Sequence, residues 1–193
     1  MRLLLIRHGR SSCSTPPGLV DRAGVERWLT AYDEAGLAAD DAPPPALVAE
    51  VARAHLVVSS DLPRALASAA LLAPGREPLV SPLFREVPLP IPRSLVSRLP
   101  AMVWGALMHL RWVFEIARGR GDSQDAVEQS RAAARWCTDA CARLPGGEQV
   151  IAVATHGVFR RVLARHLLRE GWRFAPGRRS YAHWSVWRLE SPG

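Results

Sequence analysis

Two histidines carry the chemistry this sequence suggests. His8 lies in Arg7-His8-Gly9, directly after the aliphatic run Leu3 to Ile6, and His156 lies in Thr155-His156-Gly157, directly after a second run from Val150. A neutral imidazole is a competent nucleophile toward phosphorus, and a guanidinium offers a planar fork of donors that matches phosphoryl oxygens and never loses its charge. Arg7 beside His8 therefore suits a phosphate. Gly9 lets the backbone turn sharply or come close to a ligand. A tripeptide recurs by chance, and a histidine at a strand end is often structural, so the reading depends on what else converges there.

Two other stretches add to it. Ser60-Asp61-Leu62-Pro63-Arg64-Ala65 reads as a helix start, with Ser60 or Asp61 as the cap, Pro63 in the first turn and the helix running to about Leu72. Its free N–H groups and Arg64 would favour an anion in the same place as Arg7; an ordinary capped helix with a solvated Arg64 is the alternative. Glu86 sits between apolar and proline-rich neighbours. Partial burial would favour its protonated form and suit it to act as a general acid, and a plain surface glutamate is the alternative.

The elements that must position these groups follow from periodicity. Leu3 to Ile6, His55 to Ser59 and Gln149 to Thr155 are continuous apolar runs of the kind buried on both faces of a parallel sheet. In such a sheet a ligand crevice forms at the carboxyl ends of the strands, where Arg7, His8 and His156 stand. Ser11 to Asp21, rich in Ser, Pro and Gly, reads as a loop over that crevice. Helices are expected over Val25 to Ala35, Ala46 to Ala54, Ser123 to Leu144 and Val158 to Leu168. Pro78 to Ser81 reads as a short strand, and Ser180 to Leu189 as the last one, with Tyr181, His183, Ser185 and Trp187 on one face. His55, His109, His166 and His183 read as structural or solvated.

Leu99 to Ile116 is apolar nearly all round, with Gly105, His109, Arg111 and Glu115 as interruptions, which is too broken for a membrane span of about 20 residues. It reads as a core helix, with a lid or a dimer face as alternatives. Because it follows Glu86 and carries Met102, Trp104, Met108, Trp112 and Phe114, it would also supply an apolar wall beside the phosphate pocket.

Composition narrows the class. At 193 residues, 48% hydrophobic and 22% charged, the chain reads as one domain over 1–193 with a sizeable core. All 25 basic residues are arginine and they are spread along the chain, so a net charge of +7 suggests attraction for small anions rather than a nucleic-acid partner. Cys13, Cys137 and Cys141 form neither a disulfide framework nor a metal-spacing motif and fit a reducing cytoplasm. The opening residues are too short an apolar run for a signal peptide.

Taken in order, Leu5-Ile6-Arg7-His8-Gly9-Arg10-Ser11, Ser59-Ser60-Asp61-Leu62-Pro63-Arg64-Ala65, Glu86 and Thr155-His156-Gly157 resemble the motifs of the histidine phosphatase superfamily, the phosphoglycerate-mutase-like proteins. The resemblance implies a three-layer α/β/α sandwich with a mostly parallel sheet. It implies that His8 becomes phosphohistidine, that Glu86 is the proton donor, and that His156 joins Arg7, Arg64, Gly9, Ser11 and Gly157 around the phosphate. It implies no metal and no other cofactor. The pattern departs from the family's common residues at Arg10, Ser14, Val158 and His183, so it names no substrate. The expectation is a cytoplasmic phosphatase for a small phosphorylated substrate, without nucleic acid or membrane as partner. Phosphoglycerate mutase-type transfer, or a weakly catalytic phosphate-sensing or protein-binding member, are the alternatives. A dimer is among the oligomeric states left open.

Overall fold

Leu3, Leu4, Leu5 and Ile6 have no exposed surface, and the strand they form lies between two others in the middle of a sheet. The computed structural model describes residues 1–92, 98–118, 122–144 and 149–191. In chain order the elements are β1 (Arg2–Arg7), β2 (Leu19–Val20), α1 (Arg22–Glu34), α2 (Pro45–Val51), β3 (Leu56–Ser59), α3 (Pro63–Leu72) and β4 (Leu79–Val80). After a 3-10 turn at Pro82–Phe84 come β5 (Leu99–Pro100), α4 (Ala101–Arg118), α5 (Asp122–Arg143), β6 (Val150–Thr155), α6 (Gly157–Arg169), β7 (Arg173–Phe174) and β8 (Val186–Glu190).

The main sheet has the order β4-β3-β6-β1-β8-β7. Strands β4, β3, β6 and β1 run parallel, while β8 is antiparallel to β1 and β7 antiparallel to β8. Burial on both sides explains the unbroken aliphatic runs, because alternate residues of one strand enter different cores. Leu3, Leu5, Ile151 and Val153 pack with Ala133 and Cys137 of α5 and Phe159 and Leu163 of α6. Leu4, Ile6, Ala152 and Ala154 pack with Leu47 and Val51 of α2 and Ala69 and Leu72 of α3. This is the expected α/β/α sandwich. Cys137 and Cys141 are buried free thiols whose pKa values burial pushes up, that of Cys141 to about 11.

A smaller third core joins α1 to α4. Val25, Trp104 and Met108 pack together with Leu29, Val20 and Leu99, and the Trp104 indole donates to the Val20 carbonyl at 2.9 Å. Strands β2 and β5 pair beside it as a two-stranded antiparallel ribbon. Helix α4 is therefore only half core: Trp104, Met108 and Trp112 are buried, whereas Met102, Leu110, Val113 and Phe114 are more than half exposed. Its apolar residues outnumber the positions that two neighbouring layers can cover. Among the described residues no helix is long and apolar enough to cross a membrane.

Two local expectations are replaced. Neither Ser60 nor Asp61 caps α3, whose N-cap is Leu62 with Pro63 as first residue. The Ser60 hydroxyl bonds His156, and the Asp61 carboxylate takes two bonds of 2.6 Å from Arg85, so tertiary partners outcompete the cap. The last strand starts at Val186 rather than Ser180, because a turn precedes it: the Ser185 N–H bonds the Ala182 carbonyl at 3.3 Å, Trp184 has φ 59°, and the Ser180 carbonyl accepts from the buried guanidinium of Arg160, while the Ser185 carbonyl still takes the Arg7 N–H. The expected stop of α5 at Pro145 to Gly147 lies outside the described residues, as do the side chains of its expected caps, Asp122 and Ser123.

Gly9 is required by packing. A Cβ there would stand 2.3 and 2.6 Å from ring carbons of Trp184 and 2.5 Å from Asp41 Oδ2. That indole and carboxylate are locked by an Nε1–H bond of 2.8 Å, and Trp184 itself has φ 59°. Neither partner can yield cheaply. Gly9→Ala should lower stability by about 1–3 kcal/mol, the usual penalty for overpacking. Urea unfolding followed by tryptophan fluorescence reads this, and an unchanged midpoint would show that the clamp is soft.

Candidate active site

Parallel register brings the two histidines together. Arg7 on β1 pairs with Thr155 on β6, so His8 and His156 leave adjacent strands side by side with ring centroids 5.0 Å apart. On the far side of β6, Ser59 of β3 pairs with Ala154, which sets Ser60 against His156 with Oγ to Nε2 at 2.9 Å. The Ser60 hydroxyl already accepts from the Leu62 N–H, so its own proton is free to go to Nε2. Neutral His156 then carries its proton on Nδ1, which is buried with no partner among the described residues.

The arginines have the same incompleteness. Arg64, in the first turn of α3, is fully buried; it donates to the Tyr32 carbonyl at 2.6 Å and to Asp33 at 3.2 Å, and stacks 4.2 Å over the Tyr32 ring. Arg7 donates to the Tyr181 carbonyl. The Nε of each is buried and unpartnered among the described residues. Leaving a buried donor unsatisfied costs about 1–3 kcal/mol, more for a charged group, so three such donors define a place where a bound anion would be stabilising. Gly157 keeps room for one of them, since a Cβ there would lie 3.4 Å from Arg7 Nε.

His8 is 1% exposed. Its Nδ1 and the Gly9 carbonyl are 2.6 Å apart, which fixes the proton on Nδ1 and leaves the Nε2 lone pair without a protein partner among the described residues. Burial, and after it the charges of Arg64 and Arg7, lower its pKa to about 3 against the opposing Gly9 bond. His156 is likewise held well below the usual value, chiefly by burial. Both rings are thus neutral in the ligand-free pocket. The Glu86 carboxylate accepts from the N–H groups of Val87, Val158 and Phe159, the last at 2.7 Å, and so occupies the start of α6. Those donors favour the anion, but burial outweighs them and raises the pKa above the ordinary glutamate value.

Arg7, Arg64, Glu86 and Gly157 line one crevice, a cavity of about 880 Å³. His8 and His156, almost wholly buried, are not among its lining residues. Ser11 is apart from it: its hydroxyl accepts from the Cys13 N–H and its backbone bridges to Leu37. The loop expected over the crevice does not line it either, and that wall is made by Trp28, Leu29, Thr30, Tyr32 and Asp33 of α1. Of the five large apolar residues expected to form a wall from α4, Met108 alone lines the cavity, because Trp104 and Trp112 turn into the cores and Met102 and Phe114 to solvent.

Three participants were not legible in the sequence. His183 has its ring centroid 5.5 Å from that of His8, and its Nδ1 lies 3.1 Å from the His8 carbonyl. Tyr32 and Asp33 hold Arg64. Tyr32 and Asp33 belong to no motif, and His183 was marked only as a departure from the family pattern and read as structural or solvated. For Tyr32 the available signal was that it follows Trp28 by one helical turn, and that spacing equally describes a core face.

Because His8 titrates near 3 when folded and near 6.5 when unfolded, the unfolded chain binds the extra proton first as pH falls, and stability is lost between those values. His8 alone should account for about 2 kcal/mol between pH 7 and pH 5. Urea unfolding at the two pH values should show His8→Gln losing less than the wild type by about that amount; equal losses would place a solvated imidazole at position 8.

Solved structures with this fold include a mycobacterial glucosyl-3-phosphoglycerate phosphatase in complex with VO3, 17% identical over 98% of this chain and 90% of that one, with a TM-score of 0.57. A structure described as mycobacterial hydrolase 1 is 18% identical over 98% of this chain and 96% of its own, with a TM-score of 0.56. No curated protein matches the chain. Residues 3–192 match the sequence pattern of the histidine phosphatase superfamily (branch 1), and with paired histidines at the ends of β1 and β6 the chain belongs to that superfamily.

Proposed function

We propose that this protein is a phosphatase that hydrolyses a small phosphomonoester through a phosphohistidine on His8. One observation carries the reading: Nδ1–H is tied to the Gly9 carbonyl, so the free Nε2 lone pair belongs to a ring kept neutral beside three unsatisfied buried donors. A phosphomonoester dianion supplies what those donors lack. The structural neighbour solved with VO3 is itself a phosphatase, which agrees with hydrolysis as the reaction class.

In the first step Nε2 of His8 forms a bond to phosphorus as the ester P–O bond breaks, and Glu86 gives its proton to the departing oxygen. Arg7, Arg64 and the Nδ1–H of His156 neutralise the equatorial oxygens. An imidazolium at His156 is not required beforehand. A neutral Nδ1–H already donates, and arrival of the dianion raises the ring's pKa. In the second step water attacks phosphorus, Glu86 takes its proton and the N–P bond breaks.

Two outcomes test the scheme. Brief reaction with a radiolabelled phosphodonor should leave label that survives alkali and is lost in acid, as a phosphoramidate is, and His8→Ala should abolish both label and turnover; unchanged turnover in that variant would exclude His8. The Glu86 acid is lost as pH rises through its raised pKa, whereas His8 stays neutral down to about pH 3, so kcat/KM on an alkyl phosphate should be highest on the acid side of neutrality and fall toward alkali. Glu86→Gln should cost alkyl phosphates about 10²-fold or more, and p-nitrophenyl phosphate far less, because its leaving group hardly needs a proton. Equal losses on both would point to another acid.

A further inference from the structure

A column of planar groups leads away from the anion pocket. The Arg64 guanidinium covers the Tyr32 ring, and Tyr32 in turn contacts the Trp28 ring, 5.7 Å between centroids, one turn back along α1. Trp28 is held in place, since its Nε1–H donates to the Ser14 carbonyl at 3.0 Å. All three line the crevice, together with Met108, Val87 and Leu89.

The polar side chains of the same cavity are largely committed elsewhere. Arg85 is chelated by Asp61, the Gln129 amide donates to the carbonyls of Leu83 and Arg85, and His109 Nδ1 bonds the Gly105 carbonyl at 2.9 Å. Arg161 also lines the cavity, 5.3 Å from the Tyr181 ring, so a polyol leaving group has that guanidinium as a partner while an apolar body has the α1 wall. The volume of about 880 Å³ lies in the range of roughly 300–1,000 Å³ that accommodates a drug-sized ligand, far more than a phosphoryl group with a three-carbon body fills.

Resting on the phosphatase reading, we propose that the leaving-group half of this crevice selects phosphomonoesters with an aromatic or extended apolar body, and that Trp28 is the specificity-determining residue. The phosphoryl group sits at Arg64, the body lies along Tyr32 and Trp28, and Met108 and Leu89 complete its apolar surroundings. Burying a ring in such a place is worth about tenfold or more in affinity.

The test separates recognition from turnover. Calorimetry compares 2-phenylethylphosphonate, ethylphosphonate and 3,4-dihydroxybutylphosphonate, none of which is hydrolysed. Kinetics compares 2-phenylethyl phosphate, ethyl phosphate and glycerol 3-phosphate, whose leaving groups are all alkyl alcohols. The phenylethyl compounds should exceed the ethyl ones by about tenfold or more in affinity and in kcat/KM. Trp28→Ala should bring the phenylethyl-to-ethyl ratio close to one, and Trp28→Phe should keep most of it. A flat series, tighter binding of the diol, or a ratio that survives Trp28→Ala would each overturn the proposal. Phenylethyl preference in binding with no turnover of any ester would support it while removing the phosphatase reading. Turnover with a flat series would do the reverse.

Discussion

Desolvated cationic and polar groups at the carboxyl ends of β1 and β6 are the constraint around which this structure is arranged. Arg7 and Arg64 line the crevice, His8 and His156 lie buried close enough to feel their charges, and Glu86 and the exposed Asp33 are the acids beside them. Taking guanidinium groups out of water is expensive unless their donors are met. The chain meets some of them with the main-chain carbonyls of Tyr32 and Tyr181 and the carboxylate of Asp33, and leaves the Nε of each arginine unmet among the described residues. Burial answers the same problem for the imidazoles by keeping them uncharged. The pocket is thereby prepared for an anion, because the donors that an anion would meet are already fixed in place when it arrives.

Arg160 makes this arrangement possible from behind. It is fully buried one turn into α6, donates to the carbonyls of Ser180 and Ser185 and to the Ser185 hydroxyl, and stacks 4.3 Å from the Trp187 ring. Those bonds anchor the 180–185 turn, whose Trp184 N–H and Ser185 carbonyl still pair with Arg7, in the position where Tyr181 offers its carbonyl to Arg7 and His183 reaches the backbone of His8. Burial and the nearby Arg7 charge lower its pKa to about 10, which still leaves it charged at neutral pH. The Trp184–Asp41 pair fixes the same segment from the other side by filling the space next to Gly9. The positions of Arg7 and His8 are thus set by groups that do not line the crevice.

The division of labour between layers also explains the open face of α4. The sheet and its two flanking layers satisfy β1, β6, α3, α5 and α6, while α1 and α4 share a separate core built on Val25, Trp104 and Met108. These two helices contribute less to the catalytic floor than to the walls of the cavity. The two parts remain coupled, because Tyr32 and Asp33 of α1 hold Arg64 and Trp112 of α4 packs in the main core.

By itself the sequence determined the parts whose signal is local. The aliphatic runs 3–6 and 150–155 could be buried only on both faces, so the parallel centre of the sheet and the placement of Arg7, His8 and His156 at its edge followed from periodicity alone. Pro63 at the first position of α3 and the buried, unpaired Cys137 and Cys141 were legible for the same reason. Tertiary structure alone decided whatever depended on partners distant in sequence. Asp61 was free to cap α3 until Arg85 claimed it, and the stretch 180–185 alternated like a strand until Arg160 took the Ser180 carbonyl and the chain turned between Ala182 and Ser185. Gly9 could have faced a ligand, and Trp184 and Asp41 gave it a different necessity. The walls of the crevice were least legible of all: apolar residues on a helix reveal that one face will be buried, but not against which neighbour, and that choice placed Trp28 and Tyr32 in the cavity and Trp104 and Trp112 in the cores.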